Sequence, residues 1–325
     1  MVGKARLDAK LFYSEWSGHP VQHLSFALQS LKQQGKKRLI YTAGDSSLDN
    51  KHWLFPGDKY LDPLTAGSFT HEAVNGYQSI LSPPRMVKDV TGWLNIGIEQ
   101  RKLNELAAIN AAVEATTLRE RCAKLLPHDE FIRDNITEED YLIVSIGGND
   151  IALDPSPKTV FHMLALLLTP LLVLKAGIAP FSGHFVDLFN HGVASYINRL
   201  IEKAKPKAVL VCMIYYPCEK GEGWPDQLLR YLGYHRNPRH LQTLIDMMYE
   251  RATTNIQLEG TQVYPIALSK VLNAADENDY DNRVEPSVQG GCKMAEHFLD
   301  IIEALEREDK NEKEVGSERK MPAEL

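Results

Sequence analysis

Leu39-Ile40-Tyr41-Thr42-Ala43-Gly44-Asp45-Ser46-Ser47-Leu48-Asp49-Asn50 is the stretch on which the reading of this chain turns. A short apolar run rich in β-formers stops at Gly44, and the residues after Ser46 read as a helix. That places a serine hydroxyl at the carboxyl end of a strand and the amino end of a helix. In open α/β sheets, ligands gather at this edge. Free backbone N–H groups and the positive end of a helix dipole lie there too, and both stabilise a developing oxyanion. Ser46 is therefore the candidate nucleophile, and the rest of the sequence has to supply its partners.

Working outward, the strand signal recurs at residues 141–146 and 207–214, both continuous apolar runs, and at 262–266. Residues 106–113 are ambiguous: their alanines favour a helix, yet Ala108-Ile109-Asn110 fits a short strand. Residues 19–34 have helical periodicity, with Leu24, Leu28 and Leu31 on one face and Gly35 as a stop. Further helices are expected at 119–126, 185–204, 239–255 and 291–305. Buried strands alternating with amphipathic helices predict a three-layer α/β/α fold around a mostly parallel sheet. No repeat or Pro/Gly/Ser linker divides the chain. One domain over 1–305 is expected, with insertions at about 53–105 and 153–185. Residues 306–325 are expected to form a charged, disordered tail.

The chain has 325 residues, 44% hydrophobic and 24% charged, with a formal net charge of −7. This acidic balance leaves no basic footprint, so nucleic acid is excluded as the expected partner. Met1-Val2-Gly3-Lys4-Ala5-Arg6-Leu7-Asp8 lacks the apolar core of a signal peptide. Cys122, Cys212, Cys218 and Cys292 have no metal-type spacing. With extended backbone between them, Cys212 and Cys218 stand roughly 20 Å apart, too far for a disulfide. A reduced, cytoplasmic protein is the expectation. Within residues 160–178, the run Leu164-Ala165-Leu166-Leu167-Leu168-Thr169-Pro170-Leu171-Leu172-Val173-Leu174 is shorter than the roughly 20 residues of a membrane span, and Pro170 interrupts it. It reads as a buried helix; the other readings are an apolar lid or acyl-binding wall, and shallow membrane contact.

Four segments stand where successive strands should end. They are Gly44-Asp45-Ser46, Asn110-Ala111-Ala112-Val113-Glu114-Ala115-Thr116-Thr117, Gly147-Gly148-Asn149-Asp150, and Glu285-Pro286-Ser287-Val288-Gln289-Gly290-Gly291-Cys292-Lys293-Met294-Ala295. With these in order between about Arg38 and Leu305, the chain resembles the SGNH (GDSL-type) hydrolases, a family of esterases, lipases, thioesterases and carbohydrate deacetylases. The resemblance implies a flavodoxin-like fold and a nucleophile at Ser46. It also implies an oxyanion hole made of the Ser46 and Ala115 backbone N–H groups and the Asn149 side-chain amide. Gly44, Asp45, Gly147, Gly148 and Asp150 would shape that site. The family's second segment is similar to N-x-G-x-x-G-x-T, and here both glycines are alanines, Ala112 and Ala115. Alanine keeps the N–H donor, but not where the backbone needs a positive φ. The other reading of residues 106–118 is an Ala-rich helix.

The family's last segment reads D-x-x-H-P. Here Pro286, Gly290, Met294 and Ala295 keep the register, but Glu285 stands at the histidine position and Asn282 at the aspartate position. Three readings compete. The base is a relocated histidine, with His184 and His52 as alternatives and His71 and His297 also to be weighed. Or Glu285 is the base, oriented by Asp281 or Asp279, since desolvation raises a carboxyl's pKa; this Ser–Glu–Asp arrangement is expected to favour acidic pH. Or hydrolysis is lost, and a pseudoenzyme binds an ester-like or glycan-like ligand. No cofactor is expected. A metal on Asp45, Asp150 and Glu285 is disfavoured, because carboxylates at sheet ends are usually helix caps. The implied function is hydrolysis of a carboxylic ester of a small molecule, an acyl group or a glycan. Nucleotide binding ranks low, because neither G-x-G-x-x-G nor a Walker loop is present.

Overall fold

The computed structural model describes residues 5–54, 69–176 and 179–318. Five strands form its central sheet: β1 (Arg38–Gly44), β2 (Leu106–Asn110), β3 (Tyr141–Ser145), β4 (Ala208–Met213) and β5 (Gln262–Ala267). All neighbours are parallel, in the order β2-β1-β3-β4-β5. This is the flavodoxin-like order, and its switch point falls between β1 and β3. Ser46 follows one of those strands and Asn149 the other.

The three layers follow from side-chain alternation along the strands. Leu39, Tyr41, Ala43, Leu142, Val144, Val209 and Val211 point to one face. They pack on α1 (Val21–Gln33), α4 (Pro127–Asn135) and the end of α8 (183–200). Ile40, Tyr141, Ile143, Ala208 and Leu210 point to the other, against α2 (Val90–Gln100) and α11 (Val288–Glu318). Burial on both faces is why β3 and β4 read as unbroken apolar runs.

Residues 106–110 form a strand although their alanines favour helix. Pairing with β1 settles the choice on one side. On the other side, Asn95 of α2 replaces a missing neighbour strand. Its Oδ1 accepts the Ala108 N–H, and its Nδ2 donates to the Ala108 carbonyl, both at 3.0 Å. The edge is thereby closed to further pairing. α2 also carries Leu94 and Ile98 of the stretch 53–105 into the core. Residues 55–68 of that stretch lie outside the described residues.

Three other expectations change. After Ser46 the chain makes one turn, closed by Leu48 and Asp49 N–H groups on the Asp45 carbonyl, and then a 3-10 helix at Asn50–Leu54. No long helix starts there, so individual N–H groups replace a helix dipole. Pro170 splits the leucine-rich run into α6 (Pro157–Leu167) and α7 (Leu171–Lys175). Met163, Leu166 and Leu174 are buried, whereas Leu168 and Leu172 are 86% and 80% exposed. The segment is thus a cover with a wet outer face, not a buried helix; its residues 177 and 178 lie outside the described residues. No helix among the described residues is long and apolar enough to cross a membrane. Finally, α11 runs through Glu306 to Glu318. Glu306 is buried, where it meets Arg38, Lys207 and the Tyr141 hydroxyl, so these contacts order the start of the expected tail. Residues 319–325 lie outside the described residues.

Asn95→Leu keeps the branched heavy-atom skeleton but strands the buried Ala108 N–H and carbonyl. Urea unfolding should register a loss of about 2–3 kcal/mol.

Candidate active site

The site begins with a backbone contact that only glycine allows. Gly44 has φ +141°, and a Cβ there would lie 1.8 Å from the Ser145 carbonyl oxygen. This close approach sets the Ser46 turn directly against the end of β3. Asp45 closes the turn by accepting hydrogen bonds from the Ser47 N–H (3.1 Å) and hydroxyl (2.8 Å). Burial pushes the Asp45 carboxyl up to about 6, against the pull of those bonds and of the buried Arg121. Asp49 then ties three segments together, accepting from the Gly18 N–H (2.7 Å), the Glu114 N–H (3.0 Å) and Lys51 Nζ (2.6 Å). Asn50 donates to the Pro286 carbonyl at 2.8 Å, linking the Ser46 turn to the Glu285 segment.

The second and third segments lock to each other. Asp150 accepts the N–H groups of Leu118 (2.7 Å) and Arg119 (3.0 Å), capping α3 (Leu118–Ala123). Asn149 donates one amide hydrogen to the Thr116 carbonyl at 3.0 Å. An amide has two such hydrogens, so fixing the side chain leaves a second donor. Ala115 has φ +58°, the left-handed region that usually needs glycine. Alanine is nevertheless held there, and its N–H survives. Neither the Ser46 nor the Ala115 N–H bonds to any described residue.

The fourth segment brings Glu285 to Ser46. Tyr280–Asp281 and Glu285–Pro286 pair antiparallel, with Asp281 opposite Glu285, so the two carboxylates share a side. Asn282 and Arg283 turn the hairpin at φ +47° and +70°. Arg283 anchors it, donating to the Cys218 carbonyl (3.1 and 2.9 Å) and to Asp226 (2.9 Å). The loop between those partners carries Trp224, whose Nε1 donates to Glu285 Oε1 at 3.0 Å. Glu285 is only 2% exposed. Burial pushes its carboxyl up to about 7; Asp45 and Asp281 add to this, while Ser46 and Trp224 work the other way. Ser46 is thus near enough to act on the carboxylate, yet Glu285 Oε2 has no aligned hydrogen-bond partner among the described residues. Asp281 is itself pushed up to about 6 by burial. A carboxyl with this pKa ionises around neutrality rather than in acid.

The histidines go elsewhere. His184 contacts Thr159 Oγ1 at 3.0 Å and stacks on His162. His52 packs between Trp16 and Trp53. His71 sits beside the Glu72 carbonyl, and His297 lines a separate surface groove with Lys293 and Glu296. None lines the cavity at Ser46. Asp279 holds the start of α11 through Lys293, at 2.6 and 2.8 Å.

Two groups escaped the sequence reading: a half-buried tryptophan and a buried glutamate. Trp224 lies far from Glu285 along the chain, so no local pattern marks it. Glu114 sits beside Ala115 inside a segment read for its alanines. Trp53 Nε1 donates to its Oε1 at 3.1 Å, and its Oε2 is buried without a partner. Burial, then Glu285 and Asp49, push the Glu114 carboxyl up to about 9. Asp45, Ser46, Gly148, Asn149 and Glu285 stand at one end of a cavity of about 160 Å³, whose remaining walls are almost wholly apolar.

Two outcomes follow. Ala115→Gly should raise stability by about 0.5–1 kcal/mol in urea unfolding, since it relieves a left-handed alanine. Glu285 also makes stability depend on pH. Its carboxyl is at 4.5 when unfolded and about 7 when folded. The folded state therefore holds the proton longer, and stability falls as pH rises from 4.5 to 7. Glu285→Gln should be near neutral at pH 4.5 and stabilising by about 3 kcal/mol at pH 8.

No family model and no curated protein matches the sequence. Among solved structures, the fold is similar to the lipase Lip_vut3 from a goat rumen metagenome, at 14% identity and TM-score 0.45, over 81% of this chain and 97% of that one. It is similar to a Clostridium thermocellum family 3 carbohydrate esterase, at 14% identity and TM-score 0.37, over 83% and 99%. It is also similar to a lipase/acylhydrolase from Enterococcus faecalis, at 15% identity and TM-score 0.40, over 82% and 96%. In its sheet order and in the succession of its four segments, this chain resembles the SGNH (GDSL-type) hydrolases, with Glu285 standing where they carry histidine.

Proposed function

We propose that the protein is a serine hydrolase of carboxylic esters in which Glu285 replaces the usual histidine base. The observation that carries this reading is the Glu285 carboxylate: buried, oriented by Trp224, and facing Ser46 with one oxygen free. A general base works best when its pKa lies near the working pH. Desolvation gives a carboxyl that property here.

In this reading, Ser46 Oγ attacks the acyl carbon while Glu285 Oε2 takes its proton. The negative oxygen that forms is held by the Ser46 N–H, the Ala115 N–H and the free Asn149 amide hydrogen. Fixed donors of this kind are worth about 3–4 kcal/mol each when removed singly. Glu285 then returns the proton to the leaving alcohol. A water attacks the acyl-enzyme by the same route, again with Glu285 as base. Asp281 acts through Glu285, keeping its proton affinity high.

An organophosphonate ester should label Ser46 at neutral pH, read by intact mass and peptide mapping. Ser46→Ala and Glu285→Gln should each lower kcat/KM about 10³–10⁴-fold on an activated ester. His184→Ala and His52→Ala should stay within a few-fold. The wild-type profile should rise about tenfold per pH unit below 7 and level off above. That inflection coincides with the histidine range, so the substitutions, not the profile, identify the base. Folded protein that resists the label from pH 5 to 9 would instead be the pseudoenzyme, a ligand-binding protein on the same fold.

A further inference from the structure

The cavity at Ser46 extends beyond what ester cleavage requires. From the polar end, its wall passes to α6 (Met163, Leu166), α8 (Phe185, Phe189) and α10 (Pro238–Arg251), which contributes Leu244 and Met248. The polar atoms near this wall are already engaged. The Tyr215 hydroxyl donates to the Val284 carbonyl at 2.6 Å, and Trp224 Nε1 to Glu285. A sugar placed here would lose the hydrogen bonds of several hydroxyls at once, each a large penalty. An alkyl chain loses none.

We propose that this cavity holds the acyl chain of the ester, and that the substrates are esters of medium-chain aliphatic acids of about eight to twelve carbons. The size follows from the volume of about 160 Å³. On the same measure a water needs roughly 10–15 Å³, so the cavity has room for about eleven to sixteen water-sized groups, and a single bent chain reaches fewer of these positions than free waters do, about eight to twelve. The wall comes from α6, α8 and α10, with Leu228 and Leu229 of α9 (Asp226–Tyr231). Of these, α6 belongs to the leucine-rich run whose other face meets solvent. The outer face of that run covers the chain, and its inner face binds it. Full burial of one methylene raises binding about fourfold. Because substrate and transition state share that contact, the gain appears in kcat/KM.

The substrate assignment rests on Ser46 and Glu285 being the hydrolytic pair, so its test has an arm that needs no turnover. Wild-type protein is titrated with 1-decanol and 1-butanol, neutral probes that do not confront the Glu285 charge, and followed by tryptophan fluorescence and thermal shift. One decanol should bind per chain, at least 100-fold more tightly than butanol. In the second arm, 4-nitrophenyl esters from C2 to C16 should show kcat/KM rising two- to fourfold per methylene up to C8–C12, then flat or falling. Leu244→Trp and Met163→Trp, which fill the cavity from α10 and from α6, should each cut the C10/C2 ratio at least 30-fold. Equal affinity for the two alcohols, or a flat ester series unchanged by both substitutions, overturns the proposal. Tight decanol binding that Leu244→Trp abolishes, without hydrolysis of any ester, would leave the acyl cavity standing and remove the hydrolase reading instead.

Discussion

A carboxyl group placed in an apolar wall cannot ionise at its ordinary pKa, and that constraint organises the carboxyl edge of this sheet. Glu285 faces Ser46, but the barrier to its ionisation is set by Asp45, Asp281 and the lack of water. Trp224 supplies its one aligned hydrogen bond, and Arg283 holds both the hairpin that carries Glu285 and the loop that carries Trp224. The geometry around Ser46 is thus assembled from segments that lie 31, 65 and 236 residues away along the chain. Asp49 and Asn50 join them, reaching from the Ser46 turn to residues 18, 114 and 286. The proton affinity of Glu285 and the cohesion of the site therefore have one origin, which is dense packing at the switch point of the sheet.

How much of this could be read from the sequence depends on the range of the force involved. β3 and β4 were legible because burial on both faces leaves a local, continuous apolar signature. The strand ends that precede Ser46 and Asn149 were legible because a strand that stops at glycine is also a local event. β2 was not, since alanine's helical preference is overridden only by pairing with β1 and by Asn95 across the edge. Residues 164–174 misled for a similar reason. The break at Pro170 was readable, but composition reports only how apolar a run is, not that its fold leaves Leu168 and Leu172 exposed. The proton affinity of Glu285 was the least legible feature. A carboxylate before proline in a loop carries no sign that tertiary packing will remove its solvent.

The alanine at position 115 sharpens the question of what the site requires. A glycine is the easier residue at φ +58°, and an alanine in the left-handed region costs about 1–2 kcal/mol. Asp49 holds the neighbouring Glu114 N–H, and Asn149 holds the Thr116 carbonyl, so Ala115 is pinned from both sides. That conformation leaves its N–H unbonded. The strain is therefore carried by the surrounding hydrogen bonds.

Glu114 shows the same exchange of stability for poise. Its carboxyl is buried one residue from Ala115, with one oxygen on Trp53 and the other unpaired. Were it ionised, two negative charges would be crowded beside Ser46. Burial and the neighbouring Glu285 charge push its carboxyl up to about 9 instead, so near neutrality it is a neutral acid. Glu285 can then carry the edge's mobile proton without a second full charge opposing it from Glu114. The two glutamates divide one job: the more strongly perturbed stays protonated, and the less perturbed titrates where a base is useful. A histidine would reach the same pKa in water unaided. A glutamate reaches it only inside this packing, which is why the proton affinity of Glu285 and the fold around it stand or fall together.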